Sequence, residues 1–525
     1  MVFRKVRPYI LVLAVSLSAL LIAACGGIGG TGGGGDLVDI VVAIDSDPPS
    51  LDGHENVLIS GGVVVPHLYD KLVEFDMNSE IIPQLATEWS TSEDGLTWTF
   101  KLREGHNFHD GTPVNAEAVK ANFDRLFDED NPFTRRTLFS AITEVRAVDE
   151  YTVAFITEEP YAFVLNVLAN PTASIVSPTA AAQVDLDTFG SNPVGSGPYI
   201  FKEWVRGTHI LVEKNPDHWL ADESNINSIE FRPIPEDSSR AIGLETGELD
   251  FVTSIAPQEA KRLQGEEGLT VYNLPRVRIQ GLYLNVLHPP FDDVRVRQAI
   301  AHAIDKEAIV DTFLHGFAEV ADSPLPKGVW PYKSQEQFEY NPDKARELLA
   351  EAGYPDGFKV PMWVPVGTYV SAQEISEAIA EMTRQVGIEF ELEVMESAQW
   401  LQLLRSHGPE DNTMQATYYG WGTHTAEADY ALRLVFHSGD NWAPACCNRN
   451  FYSNPEVDRL LQEGRVAISE DERRAAYERA QEIIWQDQSW VHIFAVNHSA
   501  VGKKELTGVE ILPTEWIHFR EARME

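Results

Sequence analysis

Cysteine is nearly missing from this chain, with three in 525 residues. That excludes a disulfide-stapled scaffold. It also excludes a thiolate zinc cluster, because Cys446 and Cys447 are adjacent and Cys25 stands far from both. Basic residues are scarce too: 41 Lys+Arg against 80 Asp+Glu give a formal net charge of −39. A field of that sign repels nucleic-acid phosphates and anionic headgroups, so no nucleic-acid partner is expected. The acids are scattered rather than gathered in a tail, as on a solvated surface. Beyond the N-terminus no apolar run approaches the roughly 20 residues a spanning helix needs. Catalytic signatures are absent: no Gly-x-Ser-x-Gly, no His-Glu-x-x-His, no P-loop. Val194-Gly195-Ser196-Gly197-Pro198 only superficially resembles a nucleophile turn, lacking its glycine spacing. The fifteen histidines form no compact cluster in the sequence, so neither a metal nor a cofactor is expected. Paired carboxylates are abundant by composition alone, which leaves a surface glycosidase as a rival reading from another class.

What is present begins at the N-terminus. Arg4, Lys5 and Arg7 precede an apolar stretch over residues 10–21, and Ile22-Ala23-Ala24 leads into Cys25. A basic region, a short apolar core and small residues before a cut are the marks of a secretory signal. With cysteine after the cut, the pattern resembles a bacterial lipoprotein signal. The expected product starts at Cys25, carries lipid on its thiol and hangs from a glycine-rich leash over 25–36. This places the folded part outside the cytoplasm, anchored to the cell membrane. In that compartment Cys446 and Cys447 close a vicinal disulfide or remain two small buried thiols; the sequence leaves both open.

Beyond the leash, 44% hydrophobic and 10% aromatic content reads as globular, with length for two to four domains. Leu96, Trp98, Phe100 and Leu102 alternate with polar residues as in a half-buried strand, and Tyr151, Val153 and Phe155 repeat the pattern. Asn115 caps a predicted helix over 116–127. A second, over 342–352, has Asn341 as cap, Pro342 in its first turn, an Ala345, Leu348, Leu349 and Ala352 face, and Gly353 as stop. A third is predicted near 471–485. Mixed strands and helices imply an α/β architecture on more than one core.

Several segments together resemble one family. Asp94-Gly95-Leu96-Thr97-Trp98-Thr99-Phe100-Lys101-Leu102 runs into Phe108-His109-Asp110-Gly111-Thr112-Pro113. Then come Val194-Gly195-Ser196-Gly197-Pro198-Tyr199, Asn215-Pro216-Asp217-His218-Trp219 and Pro290-Phe291-Asp292-Asp293-Val294-Arg295. The set, in this order over nearly the whole mature chain, resembles the extracytoplasmic solute-binding proteins of peptide/nickel-type ABC importers, family 5. The resemblance implies a two-lobed periplasmic-binding-protein-like clamp of the large type. Lobe I would span 37–284, with 82–194 as an extra subdomain, and lobe II 285–500. Residues 501–525 would return to lobe I. Two hinge segments would cross, near 280–285 and 494–503. The implied function is capture of a peptide-like solute between the lobes by a monomer and delivery to ABC permease subunits. Oligosaccharide or metal-chelate binding is the alternative within the family, and a chaperone-like binder of unfolded chains a third.

The resemblance also places ligand contacts on an early loop, which here holds Asn56 and Val57, and around a Gly-Trp pair, here Gly420-Trp421. His424 aligns where peptide binders carry an amino-anchoring aspartate. Neutral imidazole cannot replace a carboxylate against ammonium, so Asp429, or Glu427 nearby, would have to serve; a surface-loop role for His424 is the plain alternative. Tyr418, Trp421 and Trp442 are the expected aromatic contacts. Arg276 and Arg278 either meet an anionic ligand group or pair with acids of the protein.

Overall fold

Two long strands, Leu269–Leu284 and Trp490–Lys503, run antiparallel beside each other and cross the whole molecule. Val491, Ile493, Phe494, Ala500 and Val501 of the second are all buried, the near-continuous apolar run of a strand covered on both faces. The computed structural model describes residues 37–55, 59–410 and 413–525. The signal, Cys25, the leash, Asn56 and Val57 therefore lie outside the described residues.

The crossing strands stand at the middle of one large sheet. On one side follow Ala416–Gly422, Phe358–Val366 and Ile388–Glu396; on the other Phe251–Val252, Val38–Ile44, Ile226–Pro233, His209–Lys214 and Tyr199–Val205. One core lies within one half, and a second, larger one runs through both. Leu282, Phe291, Ile300, Ile375 and Tyr418 belong to one core, and Val42, Tyr69, Phe100 and Phe231 to another. The pairing of the two crossing strands continues through a register shift between Pro275 and Ile279, and Phe494 to Lys503 lies within the second strand. A second irregularity falls at Gln280/Gly281, where a Cβ on Gly281 would stand 2.1 Å from the Val491 carbonyl oxygen. Only glycine permits that approach.

A separate antiparallel sheet of four strands, ordered Ala86–Thr91, Thr97–Leu102, Thr152–Thr157 and Ile142–Asp149, falls inside 82–194. The predicted Phe100 and Leu102 face is buried, as are Val153 and Phe155. The helix Ala116–Phe127 packs on this sheet, with Asn115 Oδ1 accepting the Ala118 N–H at 2.9 Å. The Asn341 cap is made as expected, accepting from Lys344 at 3.0 Å, and the third helix spans Glu470–Asp487. The fold is the α/β two-lobed clamp that the segments imply.

Candidate functional site

The strand Ala416–Gly422 carries the Gly-Trp pair, and its neighbours explain why glycine flanks the tryptophan. Gly420 lies opposite Gln280, and Gly422 opposite Arg278. The Tyr369 hydroxyl sits on Gly420, donating to its carbonyl at 3.1 Å and accepting its N–H at 3.0 Å. A Cβ on Gly420 would stand 2.8 Å from the Tyr369 ring. At Gly422 a Cβ would stand 3.2 Å from Arg278 Cζ and 3.3 Å from its Nη2. The two glycines thus let a phenol and a guanidinium lie across the strand.

Around this strand opens a pocket of about 570 Å³. Tyr419, Trp421 and Tyr430 line it together with Trp400 of the helix Ser397–Ser406 and Tyr369. Trp421 stacks nearly parallel on Tyr430, with centroids 5.7 Å apart, and Tyr419 stacks on Tyr283 at 4.3 Å. Trp400 is fixed by its indole N–H, which donates to Thr417 Oγ1 at 2.9 Å. These rings form an apolar wall with polar edges, suited to flat and aliphatic ligand parts.

Charge enters from two places. Arg278 comes from the first crossing strand. Arg135 comes from the short helix Thr134–Phe139, which leads into the small sheet, so the pocket has walls from both lobes. That short helix is pinned by buried Phe133, whose ring meets His54 edge-on at 5.7 Å and lies under Arg125 at 4.8 Å. Arg125 in turn grips Asp52 through two nitrogens and donates to His54 Nδ1 at 2.8 Å. This cluster ties Asp52 and His54 to the helix Ala116–Phe127.

Arg276 and Arg278 converge on one carboxylate, Glu515, at 3.0 and 3.2 Å. Although burial opposes its charge, the two guanidiniums hold the Glu515 carboxyl well below the usual carboxylate range. The expected pairing of both arginines with the protein's own acids is met here, and Arg278 also lines the pocket.

His424 reaches the pocket, 6.1 Å from the Trp516 ring. Burial and the nearby guanidiniums of Arg135, Arg278 and Arg276 push its pKa down to about 3, so it is neutral at physiological pH. Its backbone carbonyl and that of Thr425 accept from Asn170 and Asn166, at 3.5 and 2.9 Å.

Three expected contacts lie elsewhere. Tyr418 points to the opposite face of its strand, fully buried, its hydroxyl donating to Gln280 Oε1 at 2.8 Å; the two-residue period of a strand puts Tyr419 in the pocket instead. Asp429 is buried beneath the loop, accepting from the Tyr477 hydroxyl at 3.3 Å. Beside it Glu427 accepts from Thr425 Oγ1 at 2.9 Å and from the N–H groups of Asp429 and Tyr430. Burial and the Asp429 charge push Glu427 up to about 8, and burial raises Asp429 as well. This pair organises the loop and lines no part of the pocket. Trp442 packs edge-on to Phe451 at 5.9 Å and donates to the Tyr452 carbonyl at 3.0 Å. It belongs to the turn in which Cys446 and Cys447 pair with each other. Sequence reasoning missed Arg135 and Tyr430. Tyr430 directly follows Asp429, whereas Arg135 is signalled by no periodicity or motif.

Among the described residues one compact group of potential metal ligands, Asp70, His106 and His218, is buried away from this pocket. Asp70 accepts from both imidazoles at 3.2 Å and from Ser196 Oγ at 2.8 Å, while His218 Nδ1 takes the Leu220 N–H. Trp219 covers it, with centroids 3.9 Å from His218 and 4.7 Å from His106. The groups satisfy one another as a structural knot of the Val194 and Asn215 motifs.

Two lobes joined by a pair of continuous strands, with an aromatic pocket facing both, define a solute-binding clamp. The chain belongs to the bacterial extracellular solute-binding proteins, family 5, whose middle region matches residues 80–443. It is 35% identical to the glutathione-binding protein GsiB of Pectobacterium atrosepticum over 484 residues, covering 92% of this chain and 94% of that protein. Its fold is similar to HbpA2 from Haemophilus parasuis (TM-score 0.83, 26% identity, covering 93% of this chain and 100% of that one). It is similar also to the periplasmic binding protein DppA from Helicobacter pylori in complex with the peptide STSA (TM-score 0.76, 27% identity, 92% and 98%). Among the described residues no helix is long and apolar enough to cross a membrane.

Proposed function

We propose that this protein is the solute-binding subunit of an ABC importer, held to the cell membrane by lipid on Cys25, that captures a peptide-like solute and hands it to a membrane permease. The observation that carries this reading is the pocket wall. Trp421, Tyr430, Tyr419 and Trp400 come from one lobe, and Arg135 from the other, so a solute that fills it contacts both lobes at once. Such a ligand favours the closed arrangement by its differential contacts. The two crossing segments, near 280–285 and 494–503, serve as the hinge between lobe I (37–284, with 82–194 as its subdomain) and lobe II (285–500), and 501–525 returns to lobe I. The acceptance of Asn166 and Asn170 hydrogen bonds by the Thr425 and His424 carbonyls fits a latch across the cleft. The protein acts as a binder rather than a catalyst, and as a monomer.

Native mass spectrometry of protein purified without refolding, followed by release and identification of what accompanies it, tests the reading. Peptides or glutathione-like thiols are expected. A glycan, or hydrolysis of an oligosaccharide panel, would overturn it. Palmitate labelling that disappears in Cys25→Ala tests the anchor separately.

A further inference from the structure

A second set of contacts joins the lobes away from the pocket. After the strand Thr152–Thr157 the chain leaves the small sheet with Tyr161 and Phe163 and enters the helix Val164–Leu168. These two rings are 8% and 4% exposed, and residues of lobe II lie against both. Phe163 meets Trp330 at 6.1 Å and Tyr477 at 6.0 Å between ring centroids. Arg465 lies over the Tyr161 ring at 5.4 Å. One turn along, Asn166 Nδ2 donates to the Thr425 carbonyl at 2.9 Å. At the rim of the small sheet a Cβ on Gly95 would stand 3.4 Å from Ile468 Cγ1, so the lobes approach closely there as well.

Lobe II holds its side of this contact by bonds of its own. The Trp330 N–H donates to the Ala426 carbonyl at 3.2 Å, and Arg474 lies over the indole at 5.2 Å. Tyr477 packs edge-on to Trp330 at 6.4 Å, and its hydroxyl donates to Asp429 Oδ1 at 3.3 Å. The slot that receives Phe163 is therefore fixed before the lobes meet. None of Tyr161, Phe163, Trp330 and Tyr477 lines the pocket, so the contact is the same whatever the solute. Opening the clamp returns these rings to water, and the lost apolar burial opposes it. Apparent affinity scales with the fraction of protein in the binding-competent arrangement. A contact that favours closure thus strengthens binding without touching the solute.

We infer that Tyr161 and Phe163 are positioning residues for solute capture: seated against Trp330, Tyr477 and Arg465, they hold the lobes together independently of the solute and scale its affinity by a common factor. This rests on the two-lobed reading of the proposed function and adds to it a latch outside the solute pocket.

Small-angle X-ray scattering on the purified protein, dialysed free of solute, reads the closed fraction without any ligand. Phe163→Ala is expected to enlarge the radius of gyration, and Phe163→Leu to recover most of the parent value. Trp330→Ala, on the other lobe and at a half-buried position, should enlarge it too, which covers the case that Phe163→Ala fails to fold. Isothermal titration with reduced glutathione should show each alanine variant weakened by about tenfold. The double variant should lose little more than either single one, because both remove the same contact. Two residues that only stabilise their own lobes would give additive losses and an unchanged radius, and either result refutes the latch. If glutathione binds to no form, the proposed solute class falls, while the solute-free radii still decide the inference.

Discussion

Arg278 lies across the backbone of Gly422, its partner on the neighbouring strand, with its Cζ 3.2 Å from where a Cβ would be. A methyl group there must push a guanidinium that Glu515 already holds. Gly422→Ala is therefore expected to reduce solute affinity by roughly tenfold, while stability changes by less than about 1 kcal/mol because the arginine end can shift. Gly420→Ala meets the rigid ring of Tyr369 at 2.8 Å and should cost roughly 1–3 kcal/mol in urea unfolding. Equal stability loss in both variants would contradict this distinction.

Glu515 is the counter-charge for two arginines that are only 16% and 22% exposed at their side chains. Glu515→Gln strands two guanidiniums in a poorly solvated place. Breaking such a pair from one side costs on the order of 3 kcal/mol. Thermal melts at low and high salt check it. The variant should melt well below the parent, and added salt should narrow the gap. A variant as stable as the parent would show that solvent already carries the arginines.

Much of this was legible beforehand. The Asn115 and Asn341 caps and the strand alternation around Phe100 follow from local chemistry, which short stretches of sequence carry in full, whereas the two crossing segments are implied only by the family resemblance. The pocket was only partly legible. Trp421 was marked beforehand, but choosing Tyr418 over Tyr419 was a question of strand phase, which a run of two tyrosines does not reveal. Glu427 and Asp429 look like ammonium anchors by composition. They are internal because the loop folds its own N–H groups onto them, a consequence of backbone path rather than residue type. Arg135 is brought in by the packing of Phe133 against His54 and Arg125, a long-range contact with no periodic trace.

Histidine burial sets the acid limit of the fold. Burial holds His54, His67 and His498 at about 4, with Arg125 assisting at His54, and His424 at about 3; His492 and His518 lie well below the usual 6.5. All are neutral in the fold but take up a proton in the unfolded chain below pH 6.5. The unfolded state then binds more protons, so stability is full above pH 6.5 and falls as pH drops toward 4, by up to about 1.4 kcal/mol per pH unit for each. Glu427 and Asp429, raised in the fold, act in the opposite sense and soften the trend between pH 8 and 4.5. Asp70 and Glu515, both depressed, hold their full contribution above the ordinary carboxylate range, lose it progressively as pH falls through and below about 4, and lose it last. Urea midpoints across pH 4–8 should fall steeply from about 6.5 downward. A loss beginning only below pH 4 would assign acid unfolding to the carboxylates.

The Cys446–Cys447 pair sits in a turn held by backbone bonds of its own, from Cys446 N–H to the Trp442 carbonyl at 3.2 Å and from Cys447 N–H to the Asn441 carbonyl at 2.9 Å. In an oxidising compartment no reductant opens it. Protein that starts after Cys25 should show no free thiol by native titration and two after reduction. Because neither sulfur lines the pocket, reduction should leave solute affinity within about twofold. A free thiol in freshly isolated native protein would refute the pairing.

Asp70, His106 and His218 have the residue types of a metal site and the bonds of a closed network. The Leu220 N–H donates to His218 Nδ1, which leaves the ring proton on Nε2, pointed at Asp70 Oδ1. His106 Nε2 lies between Asp70 Oδ2 at 3.2 Å and the Ser196 carbonyl at 3.1 Å. A metal ion would have to displace both donors and the Ser196 hydroxyl, and Trp219 shields the approach. Chelation should therefore not move the melting temperature, and added zinc or nickel should not raise it. Asp70→Asn, which swaps an acceptor for an N–H facing two donors, should cost roughly 3 kcal/mol whether or not metal is present. A melting temperature that drops with chelator and returns with one divalent ion would turn the knot into a metal centre.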